Sequence, residues 1–166
     1  MSWDRNDLVT ATFYDDRLTI AHVGDSRLYR LRGEFFEQVT SDHSLLQELI
    51  DKGVYTPEEA NKPQNKNLVT QAMGIDMDVA ADFQEEVVLP GDVYLMCPDG
   101  LSGLAEDEEI HSTLNAYGEN LETAGKRLVQ MANDKGGKDN ISVILARSTR
   151  AFTARKSWYT KVFDWF

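Results

Sequence analysis

Leu18-Thr19-Ile20-Ala21-His22-Val23-Gly24-Asp25-Ser26-Arg27-Leu28-Tyr29-Arg30-Leu31 is the stretch that decides how this chain folds. Two apolar, strand-like runs, Leu18 to Val23 and Leu28 to Leu31, flank a Gly24-Asp25 corner. Short apolar runs bounded by turn residues read as strands. A carboxylate at a strand end, with glycine beside it, leaves the sheet edge and can meet others at a common point. The arrangement recurs twice. Asp99, in Cys97-Pro98-Asp99-Gly100-Leu101, follows the apolar run from Val93 to Cys97. Asp139, in Gly136-Gly137-Lys138-Asp139-Asn140, opens the run from Ile141 to Leu145. Carboxylate oxygens of this kind hold hard cations such as Mg²⁺ and Mn²⁺, with several waters left in place. The three corners therefore point to metal-assisted hydrolysis.

Working outward, the N-terminal forty residues read as β structure. Leu8 to Tyr14, Leu18 to Val23, Leu28 to Leu31 and Phe35 to Val39 are apolar or alternating runs, punctuated by Asp15-Asp16 and Arg32-Gly33-Glu34 as hairpin turns. The period then changes. Leu45, Leu46, Leu49 and Ile50 make one face of a helix predicted over 43–52, with Gly53 to end it. Thr56-Pro57-Glu58-Glu59 is a capping-box start for a short second helix. Phe83 to Leu89 and Val93 to Met96 are strands joined at Pro90-Gly91-Asp92. Helices are predicted over 108–116 and 121–133, and a last strand over 141–146. Strands and helices come in blocks, which favours an α+β class over regular βαβ alternation.

At 166 residues the chain reads as one domain, large enough to bury a core. Its 42% hydrophobic and 27% charged residues are ordinary for a globular protein. The formal net charge of −11 argues against general nucleic-acid binding, which needs a phosphate-neutralising surface. Cys97 is the single cysteine, so no internal disulfide forms, and its apolar strand makes it a core residue rather than a nucleophile. Neither a signal peptide nor a membrane-length apolar run is present, which places the chain in the cytoplasm by expectation. His22 reads as a half-buried strand histidine with a satisfied ring. His43 reads as a hydrogen-bonding group at a helix start, and His111 as solvated. None has the spacing that zinc prefers.

Each aspartate corner alone is a common turn. Their order is more telling: Ala21-His22-Val23-Gly24-Asp25-Ser26-Arg27, Thr40-Ser41-Asp42-His43-Ser44, Val69-Thr70-Gln71-Ala72-Met73-Gly74, Cys97-Pro98-Asp99-Gly100-Leu101 and Gly136-Gly137-Lys138-Asp139-Asn140-Ile141-Ser142-Val143. From about Leu8 to Arg147 this series resembles the metal-dependent protein phosphatases of the protein phosphatase 2C type, in their compact bacterial form. The resemblance implies a β-sandwich flanked by helices on both outer faces, a four-layer αββα arrangement. It implies hydrolysis of phosphoserine and phosphothreonine in proteins by water activated between two Mn²⁺ or Mg²⁺ ions. It implies that Asp99 and Asp139 are metal ligands, that Asp25 helps to hold a third and weaker metal, and that Gly100 and Asn140 shape the turns around the ligands. The partner it implies is a phosphorylated protein, a serine/threonine kinase or its targets, in bacterial signal transduction.

The same resemblance exposes three departures. Family members carry upstream segments that supply the bridging carboxylate and a phosphate-gripping arginine. Met1-Ser2-Trp3-Asp4-Arg5-Asn6-Asp7 does not match them and reads as an exposed N-terminal cap, so the domain is expected to be N-terminally incomplete. Gln71 and Gly103 stand where members commonly have an arginine and an acidic residue. The expected organisation is a partial phosphatase domain over 1–148, with a flap-like segment over about 43–67, followed by a tail over 149–166. In that tail Trp158, Val162, Trp165 and Phe166 share a helical face beside Arg150, Arg155, Lys156 and Lys161. Docking on the domain and contact with a membrane surface or partner are both open readings of it. Beside the enzyme stands a reading from another class: a catalytically impaired fragment that acts as a binding or regulatory module and dimerises through an exposed sheet edge.

Overall fold

The computed structural model describes residues 7–44, 49–50, 52–56, 59, 81–137 and 140–150. Seven strands and three helices are defined within them: β1 (Leu8–Tyr14), β2 (Arg17–Val23), β3 (Arg27–Arg32), β4 (Phe35–Gln38), β5 (Asp82–Val87), β6 (Val93–Cys97), α1 (Asp99–Ser102), α2 (Asp107–Tyr117), α3 (Leu121–Asp134) and β7 (Ile144–Arg147). They form two antiparallel sheets, one in the order β1-β2-β5 and the other in the order β4-β3-β6-β7.

The alternation read from the sequence sets which side chains meet. In β2 Leu18 and Ile20 point inward and are fully buried, whereas Arg17 and Thr19 on the other face are exposed. Leu18, Ile20, Leu28, Val88 and Tyr94 pack between the sheets, with Val9, Ala11, Val39 and Met96 against them. Phe13 meets Tyr94 across that gap edge to face, with ring centroids 5.4 Å apart. The opposite face of the four-stranded sheet carries Tyr29, Leu31, Val93, Leu95 and Cys97. This face is closed by Leu101, Ile110, Leu114, Ala124, Leu128 and Ala132 from the three helices. The four-stranded sheet is thus buried on both faces.

Local chemistry explains the punctuation. The β1–β2 hairpin turns on Asp15-Asp16, and Asp15 takes φ 51°, a conformation that aspartate tolerates better than most residues. Helix α2 begins with a reciprocal capping box between Glu106 and Glu109, and Asn120 caps α3 by accepting from the Thr123 amide at 3.0 Å. The Thr56–Glu59 capping box is also formed, with the Glu59 amide donating to Thr56 Oγ1 and the Thr56 amide donating to Glu59 Oε2.

Asp92 is the best-held buried charge. Arg32 grips it bidentately at 2.9 and 2.7 Å, the Leu89 amide donates to it at 2.7 Å, and the Tyr94 hydroxyl lies at 3.2 Å. Burial alone would raise its pKa, but the Arg32 hydrogen bonds and the Leu89 amide outweigh burial and hold it below the usual carboxylate value.

Several details differ between the sequence reading and the described residues. Strand β7 begins at Ile144 rather than Ile141. A helical turn, α1, follows directly on the Asp99 corner. Among the described residues helices pack on the four-stranded sheet only, and Leu8, Tyr14, Phe83 and Val87 on the outer face of β1-β2-β5 are exposed. His111 is not simply solvated: its ring stacks on Phe36 at 5.3 Å. The flap-like segment is described only in part, and the aromatic tail beyond Arg150 and Gln71 lie outside the described residues. Among those residues no helix is long and apolar enough to cross a membrane.

Candidate functional site

Antiparallel pairing brings two of the three aspartate corners to one end of the molecule. Arg27 of β3 is the register partner of Cys97 of β6. Asp25 lies two residues before Arg27 and Asp99 two residues after Cys97, so both leave the same end of the four-stranded sheet. Asp99 is exposed at the first position of α1, and Gly100 behind it is buried. A Cβ on Gly103 would lie 2.7 Å from the Asp99 carbonyl, which accepts the Gly103 amide at the same distance. The turn after Asp99 is therefore closed too tightly for a side chain at 103 without movement. Asn140 is exposed at the entry to the β7 segment, and Asp139 lies outside the described residues.

The Asp25 corner is crowded with carboxylate. Gly24 has φ 104°, a backbone conformation that disfavours any side chain, and a Cβ there would lie 2.2 Å from Asp7 Oδ1. Asp7 therefore packs directly on the Gly24 backbone and hydrogen-bonds Asp25. Burial, the Asp7 hydrogen bond and charge, and the charge of Asp42 together push the Asp25 carboxyl up to about 6. Asp7 was expected to be an exposed cap. It is exposed, but its carboxylate contributes to the corner.

Asp42 is fixed in turn by Arg27, whose Nε donates at 2.9 Å and Nη2 at 2.7 Å, and by Gln38 at 3.0 Å. The remaining arm of Arg27 donates to the Tyr29 hydroxyl at 3.0 Å, and that hydroxyl donates to Asp107 at 3.0 Å. The guanidinium nearest to Asp25 in sequence is thus committed within the protein. Sequence reading gave no sign of this. The partners lie fifteen positions apart in the chain, and no local pattern links them.

Two histidines complete the surroundings. His22 is 2% exposed rather than half-buried, and among the described residues its Nε2 has no hydrogen-bond partner. Burial and the neighbouring His43 ring lower its pKa, so it is a neutral core group. The His43 ring lies 4.7 Å from it, between Gly24 and Asp82.

As a test of metal binding, the donors are right in kind. Asp25 and Asp99 are hard oxygen ligands, and the raised carboxyl of Asp25 among Asp7 and Asp42 marks a place where a cation would relieve repulsion. Among the described residues, however, no three such side chains gather closely enough to form a metal site. Cys97 is buried, with its thiol pushed up to about 12 chiefly by burial, which bears out its reading as a core residue.

No family model matches the chain. Individual relatives do. It is 40% identical over 133 residues to protein phosphatase PhpP of Streptococcus pneumoniae, a match covering 79% of this chain and 53% of that protein. It is 36% identical over 140 residues to the serine/threonine protein phosphatase PstP of Mycobacterium tuberculosis, covering 84% of this chain and 26% of PstP. The crystal structure of the M. tuberculosis phosphatase PstP/Ppp superposes with a TM-score of 0.76 at 35% identity, covering 87% of this chain and 60% of that one. A structure of the PstP catalytic domain in complex with two manganese ions gives a TM-score of 0.71 at 34% identity, covering 87% of this chain and 59% of that one. The chain spans about half the length of PhpP and less of PstP. Sequence and fold agree: over part of their domain, this chain is a homologue of the bacterial serine/threonine phosphatases of the protein phosphatase 2C type.

Proposed function

We propose that the chain carries part of the catalytic centre of a metal-dependent protein serine/threonine phosphatase. The observation that carries this reading is the Arg27–Cys97 register pair, which sends Asp25 and Asp99 out of one sheet end in a chain with this sequence likeness. Asp25, Asp99 and Asp139 would hold Mn²⁺ or Mg²⁺, which when bound supplies a more acidic water and screens phosphoryl charge. The protein's own residues have the supporting work. Gly24, at φ 104°, lets the backbone turn sharply at Asp25, Gly100 is buried behind Asp99 in α1, and Asn140 would shape the turn of the third carboxylate. Arg27 orders the segment that carries Asp42 rather than gripping phosphate. The substrate class is a phosphoserine or phosphothreonine protein, with a kinase or its targets as the partner, in the cytoplasm.

The test is phosphate release from a phosphothreonine peptide by the 166-residue chain across a Mn²⁺ titration. Turnover that requires metal and is lost in Asp99→Asn and Asp25→Asn is the expected result. No turnover above those variants, from protein with a cooperative thermal transition, would overturn the enzyme reading. The second reading would then stand: a phosphatase-fold module that binds phosphoprotein without cleaving it. One observation favours it: the chain spans only about half the length of PhpP.

A further inference from the structure

We propose that His43 is a positioning residue that clamps the Gly24–Asp25 corner through both polar groups of Gly24. The inference rests on the reading of Asp25 as a cation-holding carboxylate.

The Gly24 amide donates to His43 Nδ1 at 3.4 Å, and the His43 amide donates to the Gly24 carbonyl at 2.9 Å. One residue thereby meets the glycine on its donor and its acceptor side, while Asp7 packs against the position where a Cβ would stand. The glycine sits at φ 104°, outside the strand geometry on either side of it, and among the described residues no ladder partner fixes it. The direction in which Asp25 leaves the sheet therefore depends on what grips Gly24.

The ring is itself held from two sides. Its Nε2 lies 3.0 Å from Asp82 Oδ2, on the β5 residue registered opposite His22, and its ring centroid lies 4.7 Å from that of His22 with the planes tilted by 58°. An acceptor at Nδ1 requires the proton on Nε2, where it is donated to Asp82. The Asp82 side chain is exposed, so this link orients the ring more than it stabilises the protein. The chain between Thr40 and Ser44 is thus tied twice to the site: through Asp42 to Arg27 and through His43 to Gly24.

The geometry separates the two functions of the ring. Asparagine at 43 presents a carbonyl oxygen near the Nδ1 position and can still accept from Gly24. Glutamine reaches instead toward the Nε2 position and Asp82. The experiment compares wild type, His43→Asn, His43→Gln and Asp82→Asn by NMR-detected amide exchange at Gly24, with Leu95 as a core control, and by Mn²⁺ titration. Removal of a group that orients a metal ligand typically weakens metal affinity by roughly 10–100-fold. The expected result is faster Gly24 exchange and about tenfold weaker Mn²⁺ binding in His43→Gln, near wild-type values in His43→Asn, an intermediate value in Asp82→Asn, and an unchanged Leu95. Equal Gly24 protection in all four proteins, or loss in His43→Asn as large as in His43→Gln, would overturn the clamp. A wild-type chain that does not bind Mn²⁺ sinks the reading of Asp25 and leaves Gly24 exchange to decide the clamp.

Discussion

The two sheets share one sandwich and live in different surroundings. The β4-β3-β6-β7 sheet has the β1-β2-β5 sheet on one face and three helices on the other. The β1-β2-β5 sheet has a packed inner face and, among the described residues, an outer face on which Phe83 is 74% and Tyr14 73% exposed. The strands record this: β2 alternates exposed and buried residues, whereas β3 buries Leu28 on one face and Tyr29 and Leu31 on the other. The difference teaches that strict alternation marks a strand buried on one face, and that its loss marks a strand whose second face is covered too. That second cover is set by helices far along the chain.

The largest expected effect tests the helix-covered sheet through its buried charge. Asp92→Ala leaves the Arg32 guanidinium with the Val87 carbonyl but no carboxylate, and the Leu89 amide without its acceptor. Loss of one member of a buried pair costs about 3–5 kcal/mol, measurable as a fall in the urea midpoint. Because the folded pKa of Asp92 is lowered, its contribution is fully present above the unfolded value near 3.8 and is lost as pH falls through the folded one. Acid unfolding of the wild type should therefore be steeper than that of Asp92→Asn.

Next in size is Leu128→Ala. It opens a cavity between α3 and the sheet and is expected to cost about 2–5 kcal/mol. A cost below about 1 kcal/mol would mean that the helical layer is loosely packed and that the two sheets differ little in how they are covered.

The third effect belongs to the Asp25 corner and has the opposite sign in pH. Its carboxyl is raised from 3.8 to about 6 in the folded protein, so the folded state holds the proton more tightly than the unfolded one. The stability tied to that proton is present below the unfolded value and is lost as pH rises through the folded one, over roughly pH 4 to 6. The corner is half-exposed, and with solvent screening the change is on the order of 1 kcal/mol. Thermal melts of the metal-free chain across that range should show it, and Asp7→Asn should flatten it.

The smallest effect is the sharpest test of the bare face. Phe83→Thr on the outside of β5 is expected to change stability by about 0.5 kcal/mol or less. A loss of several times that would show that another segment or a second chain covers the face.

These elements also show how far the sequence could be read. The strands from Leu8 to Gln38 were legible because period-two alternation and turn residues are local, and the capped helices were legible for the same reason. The short helix at Asp99 was not, since four residues carry no period. At the site, Asp25 and Asp99 could be singled out as corner residues, and the Arg27–Cys97 register then supplied their common end. Asp42, His43 and Asp7 were not legible as neighbours of Asp25. Their contacts are tertiary: the Arg27–Asp42 pair spans fifteen positions and the Gly24–His43 pair nineteen. No helical or strand period links such residues, and only the folded chain brings them together.

Cys97 turns the contrast between the sheets into something that can be timed. It is the single thiol of the chain, it is 2% exposed, and it lies beneath the helices on the strand next to β3. Alkylating reagents attack the thiolate, and a buried thiol pushed up to about 12 offers almost none at neutral pH. Each labelling event therefore records a molecule whose helical layer has lifted, and fraying confined to the uncovered sheet leaves no mark. The protein carries its own stopwatch, wired to one of its two halves.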